Sequence, residues 1–269
     1  MKDLKVITDA NTMADPEYDF ERLKEVEDRH FWFRARNRVI SKMVSQIVAD
    51  LPAGYRVLEV GCGNGNVLRY LEQVCAKGTV VGMDPFREGL EMARQRASCF
   101  LVQGDAGLFP FKGNFHLIGM FDVLEHLRDD RTVLAKLFPM LAPRGALLIT
   151  VPAHQWLWSY FDEASQHVCR YELVELEGKL KDAGFQIEYM SEYMFSLVPF
   201  LWLQRRLKRA GSGGEWRAAQ DMARNDLRIV PVLNELFALP LALEAGAIAR
   251  RWRLPVGTSL IAVARRPAD

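Results

Sequence analysis

Residues Arg56 to Asn66 read Arg-Val-Leu-Glu-Val-Gly-Cys-Gly-Asn-Gly-Asn. The opening is mostly aliphatic and β-branched, the composition of a strand buried on both faces of a parallel sheet. Gly61, Gly63 and Gly65 then break it at alternate positions. Val67, Leu68, Leu71 and Val74 follow at helical spacing. Strand, glycine turn and helix make the first crossover of a doubly wound α/β sheet, whose ligands bind beyond the carboxyl ends of the strands.

The turn narrows the ligand. A dinucleotide fingerprint needs G-x-G-x-x-G, its third glycine packing helix on strand. Here Asn66 stands at that position and a glycine comes one residue early, at Gly65. Glu59 precedes the turn; a carboxylate there repels a pyrophosphate and suits an ammonium group. The glycines remove Cβ atoms where a ligand would lie against the backbone. The next strand, Thr79 to Met83, ends at Asp84, 23 residues after Gly61. That is close to the ~20-residue offset of an acid that takes a ribose diol, since a carboxylate accepts from two adjacent hydroxyls.

Glu59-Val60-Gly61-Cys62-Gly63-Asn64-Gly65 resembles motif I of class I S-adenosylmethionine-dependent methyltransferases, of the type-11/12 small-molecule kind. The resemblance covers roughly residues 30–190 plus the last strand. It implies a seven-stranded Rossmann-like sheet of order 3-2-1-4-5-7-6, S-adenosyl-L-methionine as cofactor, and methyl transfer by SN2 displacement. Glu59, Gly61, Cys62, Gly63 and Gly65 would hold the methionine end and Asp84 the ribose, with Pro85 and Phe86 bordering the adenine. Gly104-Asp105-Ala106 before Phe109-Pro110-Phe111 resembles the family's "G-D-A-x-x-x-P-F" stretch, which gives Asp105 and Ala106 the adenine; an Asx-turn is the other reading of Asp105. Phe121-Asp122-Val123-Leu124-Glu125-His126 matches its "D-V-L-E-H" run at the cofactor's mouth. There His126 is either a base or a lining residue.

Two further stretches carry chemistry. His30-Phe31-Trp32-Phe33-Arg34-Ala35-Arg36-Asn37-Arg38 sits in a helical pattern from Glu17 to Ala49 with a break near Asp28 to His30. It is a cover helix with snorkelling arginines or a lid, with Trp32 over the cofactor and Arg36 on a carboxylate. After Pro152, the loop from Ala153 to Tyr171 crowds His154, Trp156, Tyr160, Asp162, His167, Arg170 and Tyr171 together at a strand end, the crevice side of such a sheet. Candidate bases are His154, His167 and His126; candidate acceptor contacts are Trp156, Tyr160, Arg170 and Tyr171. Loop spacing of His154, Asp162 and His167 does not establish a metal site, and none is expected.

The strand after Gly184, Phe185 to Met190, is followed only about seventy residues later by Ser259 to Ala264, far beyond a connecting loop. Apolar Met194–Leu203 precedes basic Gln204–Arg209, and apolar Ile229–Ala249 precedes Arg250-Arg251-Trp252-Arg253, with Gly211-Ser212-Gly213-Gly214 as a joint between them. Apolar helix followed by basic cluster fits a cap over a hydrophobic pocket or a helix lying at an anionic membrane surface. The expected organisation is therefore an N-terminal helical cap (1–50), a cofactor-binding domain (51–194 and 256–269) and a helical lid or membrane-contact insertion (195–255).

Composition excludes little. Net charge is +1 over 269 residues, so no whole-chain field draws nucleic acid. Four cysteines without C-x-x-C spacing point to free thiols in a reducing cytoplasm. No signal peptide or spanning run is recognised. The resemblance implies a small or lipid-linked methyl acceptor as partner, and residues 194–253 are the candidate for peripheral contact at the inner membrane face; the oligomeric state is open. The alternatives are a non-catalytic membrane-associated or partner-binding protein that keeps the fold, and an NAD(P)-dependent oxidoreductase, which Asn66 and Glu59 count against.

Overall fold

The computed structural model describes residues 5–6, 20–209 and 229–268. Its strands are β1 (Lys5–Val6), β2 (Arg56–Val60), β3 (Thr79–Asp84), β4 (Phe100–Gln103), β5 (Phe115–Phe121), β6 (Leu141–Pro152), β7 (Gln186–Tyr193) and β8 (Ser259–Arg265). They form one sheet of order β1-β4-β3-β2-β5-β6-β8-β7. Without β1 this is the expected 3-2-1-4-5-7-6 arrangement, with only β8 antiparallel to its neighbours. The correction is β1: Lys5–Val6, expected within the N-terminal helical cap, adds an eighth, parallel edge strand beside β4. Two residues carry no periodicity to read.

Helices α1 (Phe20–Glu27), α2 (Phe31–Val48), α3 (Leu68–Val74), α4 (Arg87–Arg96), α5 (Asp130–Met140), α6 (Tyr160–Ala164) and α7 (Leu173–Asp182) surround the sheet. The α1–α2 break falls at Asp28 to His30, where the pattern placed it; the His30 side chain caps α2 by accepting from Trp32 N–H. One core layer joins α2 and α3 to the sheet through Ile40, Met43, Val44 and Leu68; the other joins α5 and α7 through Leu134, Leu137 and Leu176.

The long connection between β7 and β8 supplies α8 (Val198–Arg209) and α9 (Pro231–Ala249). The expected Gly211-Ser212-Gly213-Gly214 joint lies outside the described residues. Polar residues that interrupt the apolar pattern of α9 are anchors. Asn234 Oδ1 accepts from Phe31 N–H at 2.8 Å and its Nδ2 donates to the Arg29 carbonyl at 2.6 Å. Glu244 accepts from the Phe195 and Ser196 N–H groups. Leu241, Ala245 and Ile248 are buried on α2 and the sheet. α8 lies against the Gln155–Leu157 turn of the loop after β6.

Gly65 shows what the early glycine is for. It has φ +81°, and a Cβ there would stand 2.9 Å from Cα of Ala93 on α4. It serves helix packing, the task of the third glycine in a dinucleotide turn, rather than a ligand. Gly65→Ala is expected to cost about 2–4 kcal/mol, combining left-handed strain with overpacking against backbone. Urea unfolding would read this as a lower midpoint at unchanged slope; a loss below about 1 kcal/mol would mean that α4 yields.

Candidate active site

Four carboxylates converge where the central strands end. Glu59 lies on β2, Asp84 closes β3, and Asp122 and Glu125 follow β5. The glycine turn is fixed to β3 by Gly61 N–H and Cys62 N–H donating to the Met83 carbonyl at 2.8 and 3.0 Å. Gly63 N–H donates to Asp84 Oδ2 at 2.7 Å, and Phe86 N–H donates to Oδ1 at 2.9 Å. Each Asp84 oxygen has thus spent one backbone bond and keeps acceptor capacity. Burial pushes the Asp84 carboxyl up to about 6, with the two backbone bonds opposing. Gly61, at φ +73°, has its missing Cβ position filled by Val123, which brings the β5 loop against the turn.

Glu59 is buried, and its Oε2 has no hydrogen-bond partner among the described residues. Burial holds its carboxyl well above the usual range; Arg36 opposes this, while Asp84 and Glu27 add to it. An orphaned carboxylate oxygen beside a glycine turn fits a ligand's ammonium group, and Asp84 fits a diol. The residues present therefore suit the methionine and ribose ends of S-adenosylmethionine. Burial likewise keeps the Cys62 thiol protonated, pushing it well above its ordinary value. All four cysteines are free.

The N-terminal helices close over this turn. Asn66, the departure from the dinucleotide pattern, accepts from Asn37 Nδ2 at 2.6 Å and donates to Asp28 at 3.3 Å. Arg96 on α4 pairs with Glu27 at 2.7 Å. Trp32 is partly buried on α2, with the Arg36 guanidinium 5.2 Å from its ring. Arg36 itself is buried, and its Nη1 donates to Asp122 Oδ2 at 2.7 Å. The carboxylate that Arg36 meets is therefore the protein's own. Asp122 has φ +55° and also accepts from Thr150 Oγ1 at 3.2 Å. Phe121 is buried in the core against the sheet.

At the adenine end, Pro85 and Phe86 lead into α4, and Ala106 is buried. Asp105 Oδ1 accepts from Gly107 N–H at 2.5 Å, which is the Asx-turn geometry.

The loop after β6 divides differently from its expected roles. His154 is clamped: Nδ1 lies 2.9 Å from Glu172 Oε2 and Nε2 lies 2.7 Å from Glu192 Oε2. With both nitrogens committed it anchors the loop to β7 rather than serving as a base. Tyr171 does not line the crevice. It is fully buried, and its hydroxyl donates to Asp130 and approaches the Leu124 carbonyl. Arg170 is buried and committed to Asp162 (2.7 Å) and the Ala153 carbonyl (2.9 Å), so it too is structural. Trp156 is exposed and stacked on His154, and Tyr160 is half-buried. His167 is held by Asp162 at 3.0 Å, and its ring meets that of His126 edge-on at 4.8 Å. His154, Asp162 and His167 are thus not one cluster. Burial and then the His167 charge push His126 down to about 4. Glu125, expected with His126 in the run at the cofactor's mouth, is fully buried among these groups.

Comparison with known proteins agrees with this geometry. A methyltransferase-domain family model matches residues 32–190. Among relatives, a fatty-acid O-methyltransferase of Mycolicibacterium smegmatis is 32% identical over 54% of this chain and 49% of its own length. A trans-aconitate 2-methyltransferase of Deinococcus radiodurans is 27% identical over 57% of each chain. The chain spans about half the length of the curated relatives it matches. In fold it resembles phosphoethanolamine N-methyltransferase 2 of Haemonchus contortus, solved with S-adenosyl-L-methionine, at TM-score 0.59 and 20% identity over 97% of this chain and 60% of that one. The glycine turn, the carboxylate at each strand end and a match across more than half of its residues identify this chain as a member of the methyltransferase-domain family of class I S-adenosylmethionine-dependent enzymes.

Proposed function

We propose that the protein transfers the methyl group of S-adenosylmethionine to an oxygen, nitrogen or carbon nucleophile of a small hydrophobic or lipid-linked acceptor. The observation that carries this reading is the pair of buried carboxylates Glu59 and Asp84 beside Gly63 of the glycine turn, with an orphaned oxygen on Glu59 and spare acceptor capacity on Asp84. The bound cofactor supplies an electrophilic methyl on a sulfonium, activated before it meets the protein. The protein's share is alignment, exclusion of water and, where the acceptor needs it, removal of a proton. Glu59 accepts from the ammonium end and Asp84 from the ribose diol; Asp105 retains one carboxylate oxygen for the adenine edge. α2 carries Trp32 and Arg36 over the turn and keeps water out. His167, oriented by Asp162, and His126 are the candidate bases, with Trp156 and Tyr160 as acceptor contacts.

The hydrophobic acceptor rests on the 195–255 insertion, read as a cap whose outer side meets a bilayer. Val232, Leu236, Leu239 and Leu243 recur on one face of α9 and are 63–76% exposed, and Phe200 and Leu203 are exposed on α8. Arg250 and Trp252 are exposed just beyond α9. No helix among the described residues is long and apolar enough to cross a membrane, so the contact would be peripheral. The relative named for fatty-acid methylation points the same way.

Calorimetric titration with S-adenosylmethionine, S-adenosylhomocysteine and NADH tests the cofactor. Micromolar binding of the first two and none of the third is expected; the reverse would sink the reading. For the surface, the protein is expected to co-sediment with anionic vesicles and Leu239→Asp/Leu243→Asp to stay in the supernatant. Wild-type protein that remains soluble would remove the membrane contact and leave methyl transfer standing.

A further inference from the structure

Glu125, His126 and His167 come from two separate stretches of chain. The first two lie in the Leu124–His126 turn after β5, and His167 lies just beyond α6. Val168 N–H, donating to the Glu125 carbonyl at 2.7 Å, ties the stretches together. One ligating atom from each of the three residues lies within 4.8 Å of the others. A tetrahedral ion with bonds of about 2.1 Å brings its ligand atoms to about 3.4 Å. Side-chain movements of about an ångström therefore close the set.

Two observations separate this cluster from an ordinary buried polar group. Glu125 is 0% exposed, and neither of its carboxylate oxygens has a hydrogen-bond partner among the described residues. His167 Nε2 stands 4.0 Å from Oε1, too far for a hydrogen bond. A carboxyl so placed is costly to bury unless a cation or donor meets it. The second observation is that the His167 imidazole is held from behind. Asp162 takes His167 Nδ1 at 3.0 Å and is itself fixed by Arg170 Nε at 2.7 Å and Ser159 N–H at 2.8 Å. A carboxylate on the far nitrogen fixes the tautomer and raises the basicity of a metal-binding imidazole. It leaves Nε2 facing Glu125. His126 is bonded to the Gln166 backbone. Both residues keep part of their surface exposed, the His167 side chain 10% of it.

We propose that Glu125, His126 and His167 form a site for one divalent transition-metal ion, with Asp162 and the Gln166 backbone as its outer support, and that with the ion bound neither imidazole serves as the base. Two imidazoles and one carboxylate suit Zn²⁺, Fe²⁺, Co²⁺ or Mn²⁺ better than Mg²⁺ or Ca²⁺, which take oxygen-only shells. Three protein ligands leave at least one position open. Glu125 follows Asp122 by one turn of chain at the end of β5, so the open position suits a hydroxyl or carboxylate oxygen of the acceptor. That last clause alone rests on the methyl-transfer reading.

The test is titration of the chelator-treated full chain with Co²⁺, followed by visible absorption and calorimetry. One Co²⁺ per chain, displaced by Zn²⁺, is expected. Glu125→Gln and His167→Ala should each weaken binding at least tenfold, and Asp162→Asn by about 10–100-fold through the outer support. His154→Ala, clamped elsewhere, should bind as wild type does. Circular dichroism confirms which variants fold; should Glu125→Gln fail, Asp162→Asn and His126→Ala decide. No stoichiometric uptake by the wild type, or uptake that these variants leave unchanged, overturns the site. S-adenosylhomocysteine is titrated into the same samples. Binding of it without Co²⁺ refutes the metal site alone; binding of Co²⁺ without it refutes the methyl-transfer reading alone.

Discussion

Asp84→Ala is expected to raise the dissociation constant for S-adenosylmethionine at least tenfold, and closer to a hundredfold if both hydroxyl bonds are lost. A hydrogen bond to a charged acceptor contributes about 1.5–3 kcal/mol, and each 1.4 kcal/mol is a factor of ten. The substitution also strips the acceptors from Gly63 and Phe86 N–H, which loosens the turn that Glu59 borders. Asp84→Asn keeps the volume and one acceptor oxygen, so it should fall between alanine and wild type. Unchanged affinity in Asp84→Ala would remove this residue from the cofactor site.

The same carboxyl gives a pH dependence whose sign is fixed. Its pKa in the protein is pushed up to about 6, principally by burial. Only the ionised form accepts from two hydroxyls, so the ligand selects it. Above about pH 7 the group is ionised and affinity is flat in this respect. Below about pH 6 each unit of acidification should weaken binding about tenfold as one proton must be shed. Calorimetry between pH 5 and 8 in buffers of differing ionisation enthalpy would reveal that proton. An affinity that does not change across this range would mean that Asp84 is ionised throughout or stands outside the site.

What the sequence revealed about this site follows from what backbone geometry demands. Gly61 and Gly65 sit at positive φ, and only a few turns need glycine in that pattern, so the turn and its ligand class were legible. Asp84 was legible because it belongs to the end of a strand at fixed distance. The loop after β6 was not. Histidine, arginine and tyrosine look alike as crevice residues and as buried anchors until their partners are known. The partners of His154 are Glu172 and Glu192, and that of Tyr171 is Asp130, none of them marked by local pattern. The grouping of Glu125 with His126 and His167 was hidden in the same way: Glu125 and His126 lie in one run and His167 in a distant loop, and only the fold brings the three within ligand distance. In α9 the polar interruptions Asn234 and Glu244 read as breaks in an apolar helix; they are the points where it is tied to α2 and to the end of β7.

Arg36→Met is expected to be the most destabilising single change near the site, by about 3–5 kcal/mol, because it leaves the partly buried Asp122 and the buried Glu59 without their cation. Arg36 is 8% exposed and pairs with Asp122 at 2.7 Å. Burial opposes its charge, and attraction to Asp122 more than offsets that. Its field also lowers the carboxyls of Glu27, Glu59 and Glu125, each of which burial pushes up. One guanidinium on α2 therefore neutralises carboxylates from α1, β2 and the β5 loop, and joins the covering helix to the sheet. Asp122→Asn strands the Arg36 guanidinium in turn, but it keeps an acceptor oxygen and leaves Glu27 and Glu59 to offset that charge, so it should cost less. The double variant should recover part of the loss, with a coupling of about 1–3 kcal/mol in a cycle read by urea unfolding. A sum of the two single effects within about 0.5 kcal/mol of the double would show that the pair is not coupled. Cofactor affinity separates the two tasks of Arg36. If it acts only in folding, the double variant binds S-adenosylmethionine as wild type does once folded. If α2 must be held down to exclude water, the double variant folds and still binds more weakly. The second result is expected, because the ion pair joins the covering helix to the mouth of the site.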